Sequence, residues 1–292
     1  MPSSPSANRP VVVIPIYKGA LSATEKLSVD QAVEMMGQHA ICFIGPRHQH
    51  LHLARLCQHY GRQVQSTAFD DRYFAGIKGY NSLMRSRGFY AAFSAYSHIL
   101  IAQTDTLVLR DELEAWCQQD YAYIGAPWFV GGSQPRQPLE FLGVGNGGFS
   151  LRRIADFLRV LGKPRHIPNF IKSHKGGLDG QGSLVRRFKH AWLLAYNFEP
   201  LFPTSNEDFF WGILVPAACP FFRVPGLAAA SRFAFEVEPR HLYALNGGQL
   251  PFGCHAWERY DRDFWLQVLP ELGSATLNVK DTMASPSAFL AS

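Results

Sequence analysis

The run Val-Val-Val-Ile-Pro-Ile at residues 11–16 constrains this chain more than any other segment. It has no polar face, and five of its six residues are β-branched. A strand made from it must be covered on both sides, which is the position of an inner strand in a parallel sheet with helices on both faces. A polar loop through Lys18 and Ser22 follows, and residues 30–38 (DQAVEMMGQ) carry apolar side chains at helical intervals. Residues 40–44 (AICFI) then read as a second short buried strand ending at Gly45-Pro46. The alternation continues with helical spacing over 51–60, a strand near 63–66, helical spacing over 80–96 and a strand over 97–102 (SHILIA). It predicts an α/β fold, a sheet with helices on both faces.

In such sheets ligands collect beyond the carboxyl ends of the strands, so the residues after SHILIA come first. They are Gln103-Thr104-Asp105, followed by another apolar run. A carboxylate at a strand end can hold Mg²⁺ or Mn²⁺ whose other ligands are water and substrate phosphate oxygens. The structural alternative is a turn or capping Asp.

Three more segments carry chemistry. In Gly145-Asn146-Gly147-Gly148 the glycines allow a backbone to pass close to a ligand, and Asn146 offers a donor and an acceptor to sugar hydroxyls. The residues after it (SLRRIADFLRVL) predict a helix capped by Ser150. Glu207-Asp208 lies in an aromatic stretch, where desolvation and mutual repulsion oppose ionisation and a raised pKa suits a general base. The same acids would serve at a helix N-terminus capped by Ser205 or Asn206, and both uses can coexist. His255, in Pro251-Phe-Gly-Cys-His-Ala-Trp257, can present a neutral imidazole to a metal, and Cys254 a thiolate; the alternative is a satisfied core histidine.

With 292 residues and 47% hydrophobic content the chain can bury a substantial core as one large domain or two closely joined lobes, which excludes disordered and fibrous classes. No apolar run approaches the ~20 residues of a bilayer span, and the opening MPSSPSANRP lacks the pattern of a secretory signal. Five cysteines without a CxxC pair predict reduced thiols and a cytoplasmic setting. The net charge of +5 is concentrated between Lys163 and Lys189, where Asp179 is the only acid. That stretch could meet a diphosphate, an anionic acceptor, a membrane surface or nucleic acid, or be a solvated loop. A glycine-rich loop over 175–182 falls within it. Residues 1–10 are expected to be flexible, and 271–292 to form a loose polar tail.

Taken in order, these segments resemble GT-A glycosyltransferases. In detail the chain resembles a glycosyltransferase-like family of unknown function, through VVIPIY from Val12, YN-L at Tyr80, QTD-x-x-V-x-RDEL at 103–113, YIGAPW at 123–128, GNGGFSLR at 145–152, EDFF at 207–210 and FGCHAW at 252–257. The resemblance implies a single GT-A-like (Rossmann-like) α/β catalytic domain over 11–270, built on a central, mostly parallel mixed sheet flanked by helices, with its nucleotide-binding part at about 11–115 and its acceptor side at about 116–270. It makes Asp105 and His255 ligands of Mn²⁺ or Mg²⁺ on the donor diphosphate, and Asp208, with Glu207 beside it, the catalytic acid pair. Pro15, Ile16, Tyr17, Lys78, Asn81, Gln103, Thr104, Asn146, Gly147 and Gly148 are implied around the donor, with Gln103 standing where the common motif has its first Asp. The implied partners are a nucleotide-sugar, UDP-sugar by default, and a glycan or other hydroxyl acceptor. Nucleic acid is not expected, and peripheral membrane contact is left open. Two alternatives are a nucleotidyltransferase acting on sugar phosphates, which would need a phosphate-cradling loop after the first strand that IPIYKGALS supplies poorly, and a non-catalytic carbohydrate- or nucleic-acid-binding module.

Overall fold

The computed structural model describes residues 9–61, 64–162 and 206–272. Its centre is a six-stranded sheet in the order β3-β2-β1-β4-β9-β6, built from β1 (Val11–Pro15), β2 (Ala40–Pro46), β3 (Val64–Phe69), β4 (His98–Ala102), β6 (Tyr123–Ile124) and β9 (Phe149–Arg153). Strand β1 pairs in parallel with β2 and β4, and β2 with β3, while β9 runs antiparallel to β4 and β6. The mostly parallel mixed sheet expected from the sequence is therefore the observed one.

Strand β1 is buried on both faces because its successive side chains enter different cores. Val11 and Val13 join one apolar cluster, Val12 and Ile14 the other. Cys42 against Ile41 and Ile99 against Leu100 repeat this division on β2 and β4. Each fully buried Val or Ile contributes roughly 1.5–3 kcal/mol. One face is covered by α1 (Ala23–Met35) and α2 (His50–Tyr60). The other is covered by α3 (Gly76–Met84), α4 (Arg87–Ala92), α6 (Ile154–Leu161) and an aromatic group around Trp211. Helix α5 (Leu113–Cys117) follows the second apolar run.

The loop after β1 ends in a capping box: Ser22 Oγ accepts from the Glu25 amide while the Glu25 carboxylate accepts from the Ser22 amide. The helical spacing over 80–96 resolves into two helices, because Ser86 caps a new one by accepting from the Phe89 amide. A second, three-stranded sheet has the order β10-β11-β5, from β5 (Thr106–Val108), β10 (Ala234–Phe235) and β11 (Gly253–His255), and β7 (Pro127–Phe129) pairs with β8 (Phe141–Val144).

Two expectations are corrected. Ser150 does not cap a helix: it sits in β9, where alternating Phe149, Ser150 and Leu151 extend antiparallel to β4, and the helix starts only at Ile154. The end of the leader is not loose, since Pro10 is buried and the Arg9 carbonyl accepts from the Ser97 amide. The basic segment over 163–189, the glycine-rich loop within it, Ser205, residues 1–8 and most of the tail lie outside the described residues. Among the described residues, no helix is long and apolar enough to cross a membrane.

Candidate active site

Three strand ends meet at the carboxyl edge of the main sheet. After β4 the chain turns through Gln103 and Asp105, with the Thr106 amide and hydroxyl both donating to the Gln103 carbonyl. The Gln103 amide donates to the Gly148 carbonyl, extending the β4–β9 ladder by one bond and setting the Gly147-Gly148 turn beside Gln103. In the second sheet, β11 pairs with β5 so that His255 lies opposite Thr106, one residue beyond Asp105. This register carries a residue from near the C-terminus to the end of β4. His255 Nε2 is 3.3 Å from Asp105 Oδ1, and His255 Nδ1 is 2.9 Å from Glu236 Oε1.

Burial opposes a charge on His255, but the hydrogen bonds to Asp105 and Glu236 outweigh it and raise its pKa to about 10. Burial likewise pushes the Asp105 carboxyl up, and the hydrogen bond and charge of His255 more than reverse this, holding it below the ordinary carboxylate value.

Glu207 and Asp208 open a short helix, α7 (Glu207–Phe209), which continues through a π-type segment, Phe210–Leu214. The Asn206 side chain does not cap it; the Glu207 amide donates instead to Asn81 Oδ1 on α3. Glu207 is buried against Arg152, whose Nη2 and Nη1 lie 2.8 and 3.1 Å from its two oxygens. Arg152 also donates to Ser150 Oγ, Tyr90 Oη and the Gly147 carbonyl. Among the described residues, Asp208 has no ion-pair partner. Its Oδ2 accepts from the Gly147 amide at 3.2 Å and its Oδ1 from the Phe209 amide at 2.8 Å. Burial, then the charges of Glu207 and Glu236, raise its pKa to about 7 against the pull of those two bonds.

A cleft of about 420 Å³ opens over these groups. Asp105, His255, Glu207, Asp208, Gly147 and Gly148 line its floor, with Tyr17, Asn81, Gln103 and Arg259 around them and Phe74, Ile77 and Tyr80 adding apolar surface. Both glycines are needed for close approach: a Cβ on Gly147 would collide with the Glu207 carboxylate, and one on Gly148 with the His255 ring.

Other sequence candidates lie elsewhere. Pro15 and Ile16 are buried in and just after β1, the Ile16 amide donating to the Ile44 carbonyl. Lys78 is exposed on α3 and is not among the lining residues. The Thr104 hydroxyl is turned to Glu25. Asn146 is 1% exposed, adopts φ 68° and accepts from the Phe149 amide through Oδ1, so it shapes the turn rather than lining the cleft. Cys254 is fully buried in a core cluster, on the opposite side of β11 from His255.

Arg152, Glu236 and Arg259 were not singled out from the sequence. Arg152 was legible only through the period-2 pattern of Phe149-Ser-Leu-Arg. Glu236 follows a two-residue strand whose parallel partner, β11, carries no local signal of the pairing. Arg259 is exposed at the cleft, its guanidinium 5.1 Å from the Tyr260 ring.

Among the described residues, no group of three or more His, Cys, Asp or Glu side chains forms a metal cage. Asp105 and His255 fit a different arrangement. Ligand atoms at adjacent corners of an octahedron with ~2.1 Å bonds lie about 3 Å apart, with water and phosphate oxygens in the other positions. The 3.3 Å between Asp105 Oδ1 and His255 Nε2 suits such a two-ligand site.

No curated protein matches the chain. Among solved structures, LgtC as an active-site mutant and galactosyltransferase LgtC with donor and acceptor sugar analogs are similar at 12% identity, with TM-scores of 0.48 and 0.46, each over 84% of this chain and 86% of the other. A 4-diphosphocytidyl-2C-methyl-D-erythritol synthase from Anaerococcus prevotii DSM 20548 is similar at 7% identity, with a TM-score of 0.34, over 52% of this chain and 73% of its own. One family profile, described as Protein of unknown function (DUF5672), matches residues 63–255, well over half of the sequence, and the chain belongs to that family.

Proposed function

We propose that this protein is a metal-dependent glycosyltransferase of the GT-A type, transferring a sugar from a nucleoside diphosphate sugar, UDP-sugar by default, to an acceptor hydroxyl with inversion. The observation that carries this reading is the meeting of Asp105, His255 and Asp208, far apart in sequence, around one cleft at the strand ends. Residues 11–115 supply the nucleotide side and 116–270 the acceptor side. The free thiols among the described residues suit a cytoplasmic enzyme.

Asp105 and His255 would hold Mn²⁺ or Mg²⁺ on the donor diphosphate. A cation bound there supplies stabilisation of the charge that grows on the departing nucleotide. Arg259, a cation at the same cleft, adds a second positive group toward the diphosphate. Tyr17, beyond the end of β1, offers its ring to the base, while Asn81, Gln103 and the Gly147-Gly148 backbone offer polar groups to the ribose and sugar.

Asp208 is the base. Its raised pKa leaves it able to accept the acceptor proton near neutrality as the bond to the anomeric carbon forms, a contribution of roughly 10²–10⁴-fold. One displacement through an oxocarbenium-like transition state inverts the anomeric centre. Glu207, engaged by Arg152, holds Asp208 in place rather than touching substrate.

The test is a panel of nucleotide sugars with Mn²⁺ and candidate acceptors, read by calorimetry for donor binding and by product analysis for transfer. Asp105→Ala is expected to lose metal-dependent donor binding, and Asp208→Asn to keep donor binding and lose turnover. Full activity in Asp208→Asn would remove it as base. Release of pyrophosphate in place of nucleoside diphosphate would make the enzyme a nucleotidyltransferase.

A further inference from the structure

An imidazole serves as a metal ligand only when the correct nitrogen is free. In the neutral ring one nitrogen carries the proton and the other a lone pair, and the partner of the first decides which is which. His255 has a different partner at each nitrogen, and the strand registers account for both. The antiparallel β11–β5 ladder places it beside the Asp105 turn. The parallel β10–β11 ladder pairs Phe235 with Cys254, so the next residue, Glu236, falls beside His255 on the other flank.

We infer that Glu236 is the positioning residue that fixes the orientation and tautomer of His255, so that Nε2 and Asp105 Oδ1 are presented together as the protein's two ligand atoms for a divalent cation. This rests on the metal-dependent reading above. An ionised carboxylate can only accept, so Glu236 Oε1, 2.9 Å from Nδ1, keeps a proton on Nδ1, while Nε2 donates its own proton to Asp105 in the metal-free protein; a cation taken up between Nε2 and Asp105 Oδ1 would displace that second proton and leave the Nδ1–H tautomer that Glu236 holds.

Glu236 is itself fixed. Its Oε2 accepts from Trp128 Nε1 at 3.3 Å, and its side chain is 11% exposed. The Trp128 indole in turn stacks on Phe209, with centroids 6.4 Å apart and planes at 27°. Phe209 follows Asp208 in the chain, so the group that anchors Glu236 also abuts the segment that carries the base. A glutamate kept only for structure would need an acceptor for Trp128 but not the second oxygen directed at Nδ1.

The experiment compares the full chain with its Glu236→Gln, Glu236→Met and His255→Ala variants. Calorimetry measures Mn²⁺ affinity in the presence of UDP, and ¹⁵N imidazole spectra of the Mg²⁺-loaded protein report which His255 nitrogen carries the proton. Met fills the volume without an acceptor, and its variant is expected to lose about 10–100-fold in Mn²⁺ affinity. Gln still offers one oxygen to Nδ1–H but turns its NH2 toward the Trp128 Nε1–H donor, so its variant is expected to keep the Nδ1–H signal and to lose less affinity than Glu236→Met. Wild-type affinity in Glu236→Met would overturn the positioning role and leave the metal reading standing. So would a proton found on Nε2 in the loaded wild type, a readout that does not require any variant to fold. Absence of Mn²⁺ binding in the wild type, unchanged in His255→Ala, would overturn both.

Discussion

Glu207 and Asp208, neighbours in the chain, are linked to opposite ends of Gly147, Glu207 through Arg152 and Asp208 directly. Arg152 donates to Glu207 and to the Gly147 carbonyl, while the Gly147 amide donates to Asp208. One carboxylate is therefore paired with a guanidinium within a closed network, while the other lines the cleft and, among the described residues, accepts from two backbone amides. The difference separates a group that holds from a group that can exchange a proton. The Asp208 pKa is raised because burial, then the charges of Glu207 and Glu236, disfavour its ionisation.

The first prediction concerns pH. A carboxyl raised to about 7 is protonated below that value and ionised above it, and only the ionised form accepts a proton. The kcat/KM of the wild type is expected to fall as pH drops through about 7, and that of Asp208→Asn to be low and flat across the same range. Stability moves with the opposite sign. A folded-state pKa above the unfolded value favours the folded state at low pH, and this contribution is lost as pH rises toward 7. The melting temperature of Asp208→Asn, relative to wild type, is therefore expected to increase from pH 5 to pH 8. A constant difference in melting temperature together with a flat wild-type rate profile would count against Asp208 as base.

The second prediction concerns the pair beneath it. Arg152 is 0% and Glu207 3% exposed, so removing the carboxylate leaves a buried guanidinium without its counter-charge. Breaking such a pair costs about 3–5 kcal/mol, whereas replacing both partners by apolar groups is far less costly. Glu207→Ala is expected to lose about that much in denaturant unfolding. The double variant Arg152→Met, Glu207→Leu is expected to recover a substantial part of it. Activity is not expected to return with stability, because the double variant loses the Arg152 link between Glu207 and the Gly147 carbonyl and leaves only the Gly147–Asp208 bond to hold the turn against α7. A variant that regained both would show that the network is packing alone.

The sequence made the first half of the sheet legible because the signal there is local. A strand such as 11–15, apolar on both faces, and helices with clear periodicity identify themselves over a few residues. Asp105, Gly147, Gly148, Asp208 and His255 were equally visible, each lying in a short segment with an unusual combination of residues. Pairings between distant segments were not. Nothing near Ala234-Phe235 announces that it lies beside β11, so Glu236 was passed over. The helix expected from Ser150 starts later because the five strand residues Phe149–Arg153 precede Ile154, and the helix-favouring run that follows masks their period-2 pattern. Asn146 was assigned to ligand by chemical type, whereas its left-handed backbone uses the side chain to close its own turn.

The third prediction separates the two halves of the site by adding one methyl group at a time. Gly147 and Gly148 are consecutive, yet the Cβ each would carry meets a different wall: the Glu207 carboxylate for Gly147, the His255 ring for Gly148. Glu207 is locked in a buried pair and cannot yield cheaply, so Gly147→Ala is expected to destabilise the protein and to displace the Asp208 midpoint in the pH profile. His255 is a partly exposed side chain at the cleft, so its ring can give way at the cost of its bonds to Asp105 and Glu236 without leaving a buried guanidinium unpaired. Gly148→Ala is accordingly expected to keep a near-native melting temperature and the Asp208 midpoint, and to lose Mn²⁺-dependent donor binding in calorimetry. If the two variants behaved alike in both measurements, the division of the cleft into a cation-binding side and a proton-accepting side would not hold.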